Sequence, residues 1–219
     1  MMAHAPALSA VDLGCIRGDR PVFAGLDLAL APGEALVLAG PNGSGKSSLI
    51  RVLAGFLAPA TGQVRWHGAD IAAAPDAHAA RLHYLAPYNA VKPGLTVAEN
   101  LATWSHLRGA PADRIATALS TFGLGDLADV PGRLLSTGQA RRLALARLLA
   151  APAPLWLLDE PAVALDREGC ATLAQVIARH RAAGGIVVVA THQDLGLPDA
   201  PRLNVADYPP ADLTEALLW

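Results

Sequence analysis

The sequence predicts an α/β fold. A mostly parallel sheet is flanked by helices, an antiparallel edge sheet lies beside it, and a helical subdomain is inserted between two strands. Three observations carry this. Short apolar runs at Ala35–Ala39, 155–158 and Ile186–Ala190 each end in a polar or glycine-rich turn, with helical patterns between them. Residues 7–39 alternate apolar and polar positions around turns, as half-exposed antiparallel strands do. From about residue 85 to 150 the spacing becomes helical, punctuated by glycine and proline. The 219 residues suit one large domain, with a core formed by 1–84 and 151–219.

In chain order, Leu26-Asp27-Leu28-Ala29-Leu30 reads as a period-two strand and Ala31-Pro32-Gly33-Glu34 as a turn. Ala35–Ala39 is the next strand, apolar throughout and therefore buried. It runs into Gly40, Pro41, Asn42, Gly43, Ser44, Gly45, Lys46 and Ser47, which match the G-x-x-x-x-G-K-[ST] phosphate loop in full. Ser48 begins a stretch of helical spacing, 48–54. Glycines let the backbone curl so that several N–H groups point at phosphate oxygens, and the helix offers its positive end to the same anion. The motif therefore predicts ATP binding by residues 40–48, with Lys46 reaching the β- and γ-phosphates and the Ser47 hydroxyl on Mg²⁺.

A turn at 60–62 and a strand at 64–68 extend the edge sheet, and 72–81 reads as a helix. Residues 84–94 form a loop with two prolines. Thr96 with Glu99 is a capping box that starts a helix over 96–107, and a second helix follows over 113–122. Gly123, Gly125, Pro131 and Gly132 mark a loop. Leu135, Ser136, Thr137, Gly138 and Gln139 then precede an arginine-rich helix over 140–150. Ser136 is a natural cap, and its hydroxyl with the Gly138 N–H makes either a second anion site or an ordinary capped helix start.

The run 155–158 ends in Asp159 and Glu160. Two adjacent carboxylates at the carboxyl end of a buried strand are costly unless they face a cation or donors, and ligands of α/β sheets bind at that edge. Asp159 is suited to hold Mg²⁺ through water, and Glu160 to polarise the water that attacks the γ-phosphate. A helix over 168–183 stops at Gly184-Gly185, and Ile186–Ala190 is the most β-like run, hence a central parallel strand. It ends in Thr191-His192, where His192 is placed to touch the γ-phosphate. The other six histidines show no ligand spacing and read as structural or surface residues. The tail, 203–219, reads either as a helix on the core or as a partner contact.

Composition excludes several classes. A formal net charge of −2 argues against a basic surface for nucleic acid. Cys15 and Cys170 have neither metal-ligand nor disulfide spacing, which points to a reducing cytosol. The most apolar stretch, 143–158, is interrupted by Arg147, Pro152 and Pro154, so no transmembrane span is expected. Residues 1–10 do not read as a secretory signal.

The motifs GPNGSGKS, LSTGQ, LWLLDE, ALD and TH, in this order and spacing, resemble the ATPase subunits of ABC transporters over nearly the whole chain. The resemblance implies a P-loop NTPase core of the ABC ATPase type and a homodimer of ATPase subunits. In that dimer Leu135, Ser136, Thr137, Gly138 and Gln139 of one copy close over ATP held by the other, and Asp166 lies in a loop at the dimer contact. A narrower resemblance, carried by 133–166 and 25–59, is to the CcmA-type ATPase of the haem exporter in bacterial cytochrome c maturation. It implies a peripheral protein on the cytoplasmic side of the inner membrane, partnered by CcmB-like and CcmC-like integral membrane subunits. Two positions depart from the family pattern. Tyr88 falls where a metal-sensing glutamine usually stands, with Asn89 as its alternative, and Arg17 falls where an aromatic usually stacks on adenine. A guanidinium plane also stacks on a purine, whereas a phenol cannot copy an amide carbonyl. Besides the haem exporter, the readings left open are an ATPase of another small exporter, a soluble protein of translation or repair, and a slow nucleotide-gated assembly factor.

Overall fold

Two separate ladders, one antiparallel and one parallel, organise residues 5–210, the part of the chain that this computed structural model describes. Strands β1 (Leu8–Arg17) and β2 (Arg20–Leu30) form a hairpin whose turn needs Gly18 at φ 57°. Strand β3 (Ala35–Ala39) leaves that sheet and runs into the phosphate loop and helix α1 (Lys46–Leu53). Strands β4 (Thr61–Trp66) and β5 (Ala69–Asp70) return to complete the antiparallel sheet in the order β2-β1-β4-β5.

Helix α2 (Pro75–Ala80) leads into β6 (Leu82–Leu85), and three helices follow: α3 (Val97–Leu107), α4 (Arg114–Thr121) and α5 (Thr137–Ala150). The chain then alternates through β7 (Leu155–Asp159), α6 (Arg167–Ala182), β8 (Ile186–Ala190) and β9 (Arg202–Asn204). The second sheet is parallel throughout, ordered β6-β7-β8-β3-β9, so the most β-like run of the sequence does occupy its centre. Both faces of that sheet are covered. Leu36, Leu38, Leu155, Leu157, Ile186 and Val188 pack toward α1 and the antiparallel sheet. Val37, Trp156, Leu158, Val187 and Val189 pack toward α3, α4, α5 and α6. The strand period of two thus divides one continuous apolar run between two layers. Each fully buried Leu or Val contributes about 1.5–3 kcal/mol over its exposed state.

The helix starts follow from local chemistry. Thr96 Oγ1 accepts from the Glu99 N–H and Glu99 Oε2 accepts from the Thr96 N–H, the reciprocal box expected from the sequence. Three expectations need correction. The helix over 72–81 is a 3₁₀ turn, Ile71–Ala73, then α2, because Pro75 cannot continue a ladder and drives Ala74 to φ −147°. Tyr84 does not open a loop, since it pairs beside Leu157 in the edge strand β6. The tail begins as a strand, β9, beside β3, while 211–219 lie outside the described residues.

The 86–95 segment is tied down from both sides. Asn100 is buried, accepts from the Lys92 N–H, and donates to the carbonyls of Lys92, Leu95 and Thr96. Arg108 donates to the Ala80 and Leu82 carbonyls and Arg147 to that of Tyr84, fastening α3 and α5 to β6. Trp156 stacks on His180 with centroids 3.7 Å apart, a contact between β7 and α6. A Cβ at position 185, just before β8, would sit 2.1 Å from that imidazole, so any residue but glycine there would displace the stacked ring.

Candidate functional site

Strand β3 is followed by Gly40 with φ 120°, and Gly45 caps α1 at φ 106°. Neither position accepts a side chain. A Cβ at 40 would meet Ser44 Oγ at 2.7 Å and Asn204 Oδ1 at 2.8 Å, and one at 45 would meet Val22 Cγ1 at 2.7 Å. The loop is thereby held close, and its N–H groups line the start of α1. Lys46 is 8% exposed and folds back over the loop, donating to the carbonyls of Gly40 (2.8 Å) and Pro41 (2.9 Å).

A cleft of about 640 Å³ opens over this loop. Asn42, Gly43, Gly45, Lys46, Ser47 and Ser48 form its floor, Asp159 and Glu160 one wall, and Arg17, Gly18, Arg20 and Val22 another. The structure therefore brings together Asn42, Gly43, Gly45, Lys46, Ser47 and Ser48, both strand-end carboxylates and Arg17, while Gly40, Pro41 and Ser44 do not line this cleft. Asp159 is 2% exposed, and its Oδ2 is buried without a hydrogen-bond partner. An orphan carboxylate oxygen on the same cleft as a serine hydroxyl is a donor set that suits a hard divalent cation.

Glu160 occupies the left-handed region, φ 49°, which is uncommon for a residue with a side chain. Its N–H donates to the Ala190 carbonyl at 2.8 Å, locking it to the end of β8. Its Oε1 lies 3.5 Å from Nε2 of His192. His192 itself lines a neighbouring hollow of about 340 Å³ with Gly40, Thr191 and Gln193, so its contact with Glu160 bridges the two.

Leu135, Ser136, Thr137, Gly138 and Gln139 stand apart from the cleft, and none of them lines it. Ser136 Oγ accepts from the Gln139 N–H (3.2 Å) and Gln139 Oε1 from the Ser136 N–H (2.9 Å), a closed capping box. Asp166 caps α6 through its Oδ1 and the Gly169 N–H, 2.8 Å apart. Tyr88 is 87% exposed and does not line the cleft, where Pro87 is the member of its loop that contributes to the lining. The Asn89 side chain is engaged elsewhere, accepting at Oδ1 from Arg141.

Arg141 was not among the residues singled out from the sequence. It is 1% exposed and donates to the carbonyls of Pro161, Glu160 and Ala86. Burial lowers its pKa to about 10, against the pull of Asp159 and Glu160, so it remains a cation at neutral pH. A signal was present: residues 141, 144, 145 and 148 fall on one helical stripe, and an arginine on an apolar stripe must have partners.

The family model for the ABC transporter matches residues 23–163. The chain belongs to the ABC transporter family. Two curated relatives carry the name cytochrome c biogenesis ATP-binding export protein CcmA. That of Paramagnetospirillum magneticum is 56% identical over 208 residues, covering 93% of this chain and 96% of its own. That of Rhodospirillum rubrum is also 56% identical over 208 residues, covering 94% and 89%. A solved structure titled as the ATP-binding subunit of an ABC transporter superposes with a TM-score of 0.83 at 22% identity. It covers 91% of this chain and 87% of its own, and at that identity it speaks for the fold. Among the described residues no helix is long and apolar enough to cross a membrane.

Proposed function

We propose that this chain is the ATP-hydrolysing subunit of the ABC exporter used in c-type cytochrome biogenesis, the haem exporter of the CcmA type. One observation carries the chemistry: Asp159 and Glu160, at the end of β7, line the same cleft as Lys46 and Ser47. Relatives named as ATP-binding export proteins of cytochrome c biogenesis support the cargo pathway.

In this reading the phosphate loop and Lys46 bind the triphosphate, and Arg17 stacks on the base. Ser47 and Asp159 would hold Mg²⁺, which supplies charge neutralisation at the β- and γ-oxygens. Glu160 accepts the proton of the attacking water, and His192, within reach of Glu160, contacts the γ-phosphate. Ser136 and Gly138 lie off the cleft that holds Lys46, which favours their acting on nucleotide bound by a second copy. Asp166 then lies at the contact between the two copies.

The partners in this proposal are integral membrane subunits of the CcmB and CcmC kinds, with two copies of this chain docked from the cytoplasmic side of the inner membrane. The exposed face around Tyr88 and α3 is the docking surface. ATP turnover would release haem-loaded chaperone for assembly, and this chain grips no haem itself. The test is deletion of the gene in its host, complemented by wild type or by Lys46→Ala. Loss of all c-type cytochromes, restored by wild type alone, is expected. Normal holocytochrome c in the deletion strain, with no second copy of the gene, overturns the reading.

A further inference from the structure

The guanidinium of Arg141 occupies a junction that the reaction scheme above does not use. Its Nε donates to the Pro161 carbonyl at 2.9 Å, its Nη2 to that of Glu160 at 2.6 Å, and its Nη1 to that of Ala86 at 2.9 Å and to Asn89 Oδ1 at 3.1 Å. These acceptors come from two loops, one following β7 and one following β6, while Arg141 itself lies five positions beyond Ser136 in α5. A planar fork with five fixed donors joins three elements here in a way no other side chain can.

The geometry at Glu160 needs such a clamp. A side-chain-bearing residue persists at φ 49° only when its surroundings over-determine it. One side of it is held by Ala190 through the N–H, and the other by Arg141 through the carbonyl. Together they fix the direction in which the carboxylate leaves the backbone. The second loop is held at Ala86 and Asn89, the positions flanking Pro87 and the exposed Tyr88. No residue of that loop other than Pro87 lines the cleft, and the guanidinium links the loop to the main chain of Glu160.

We infer that Arg141 is a positioning residue whose guanidinium aims Glu160 into the cleft and ties the state of that corner to the loop at 86–94. The inference rests on the reading of Glu160 as general base. The loop responds to nucleotide through this one plane, and Asn89 is its side-chain contact.

The experiment compares wild type, Glu160→Gln, Arg141→Met, Arg141→Lys and Asn89→Ala as full chains with their membrane partners. It reads kcat, KM for ATP, and amide hydrogen exchange in 86–94 with and without ATP. Arg141→Met is expected to lower kcat on the order of tenfold to a hundredfold, because a displaced base is costly. KM should stay within about twofold, since the phosphate loop is untouched. Arg141→Lys should recover part of kcat, and Asn89→Ala should lose at least half of the ATP-dependent change in exchange. Wild-type kcat in Arg141→Met, or an unaltered exchange response in Asn89→Ala, overturns the inference while Glu160→Gln stays inactive. If Arg141→Met fails to fold, Arg141→Lys and Asn89→Ala decide by the same readouts. Full activity in Glu160→Gln instead removes the general base, and the inference falls with it.

Discussion

His192 Nε2 lies 3.5 Å from Glu160 Oε1, joining the residues that follow β8 and β7 and bridging the cleft to the hollow beside it. Neighbouring strands of a parallel sheet place these two side chains side by side, because Asp159 pairs with Ala190 in the ladder. The pair is expected to act as a unit. Glu160→Gln should reduce kcat by about 10²–10⁴-fold with ATP binding retained. His192→Ala should reduce it too, and the double variant should be little worse than the poorer single one. Steady-state ATPase assays of the four proteins check this, and strictly additive losses would mean the two side chains work independently.

Lys46→Ala removes the ammonium that now folds over the Gly40 and Pro41 carbonyls. Loss of a point charge beside the transferred phosphate should weaken ATP binding or abolish turnover. Stability should fall as well, by at most roughly 1.5–3 kcal/mol for each of the two hydrogen bonds lost. Calorimetric titration with ATP, together with thermal melting, distinguishes the two effects. A variant that binds and hydrolyses normally would displace Lys46 from the site.

Tyr88 stands 87% exposed. Tyr88→Gln is therefore expected to leave ATP affinity within about twofold and to change turnover only when membrane partners are bound. Identical partner-stimulated rates for wild type, Tyr88→Gln and Tyr88→Ala would remove this position from the coupling path.

Stability should fall in mild acid. Burial, with Arg108 beside it, pushes the His83 pKa down to about 3, and burial pushes that of His180 to about 4. In the unfolded chain both titrate near 6.5, so below that pH the unfolded state binds protons that the native state refuses. The native state is therefore destabilised progressively from pH 6.5 down toward the folded pKa values. His83 alone accounts for about 2 kcal/mol by pH 5. His180 acts in the same direction by a smaller amount, since its ring is less fully enclosed. Urea midpoints at pH 7.5 and pH 5 measure this, and His83→Gln should shrink the difference, leaving the share that His180 carries. A midpoint independent of pH over that range contradicts the buried neutral imidazole.

Much of this was legible in the sequence because the chemistry is local. Gly40 to Ser47 carries the phosphate-loop pattern within eight consecutive residues, and Thr96 with Glu99 had to start a helix. The run 186–190 announced a central strand by being apolar at every position. What stayed hidden was non-local. Tyr84 and Leu85 form a strand only because β7 is there to pair with them, and β9 is only three residues long. Pro75 marks the break between Ile71–Ala73 and α2, within a stretch whose alanines favour one helix. Arg141 was hidden by its neighbour Arg142, since two adjacent arginines look like a solvated face until the helical stripe is drawn. The partners of Arg141 lie between 18 and 55 residues away and could be found only in three dimensions.

In the proposed arrangement each ATP is enclosed by the cleft of one copy and by residues 135–139 of another. The most direct measurement is the mass of purified Glu160→Gln by light scattering, with Mg²⁺ and with or without ATP, alone and beside its membrane partners. The account predicts a shift from one copy to two on adding ATP, abolished by Lys46→Ala in the same background. A trapped form that stays strictly monomeric under both conditions would contradict it.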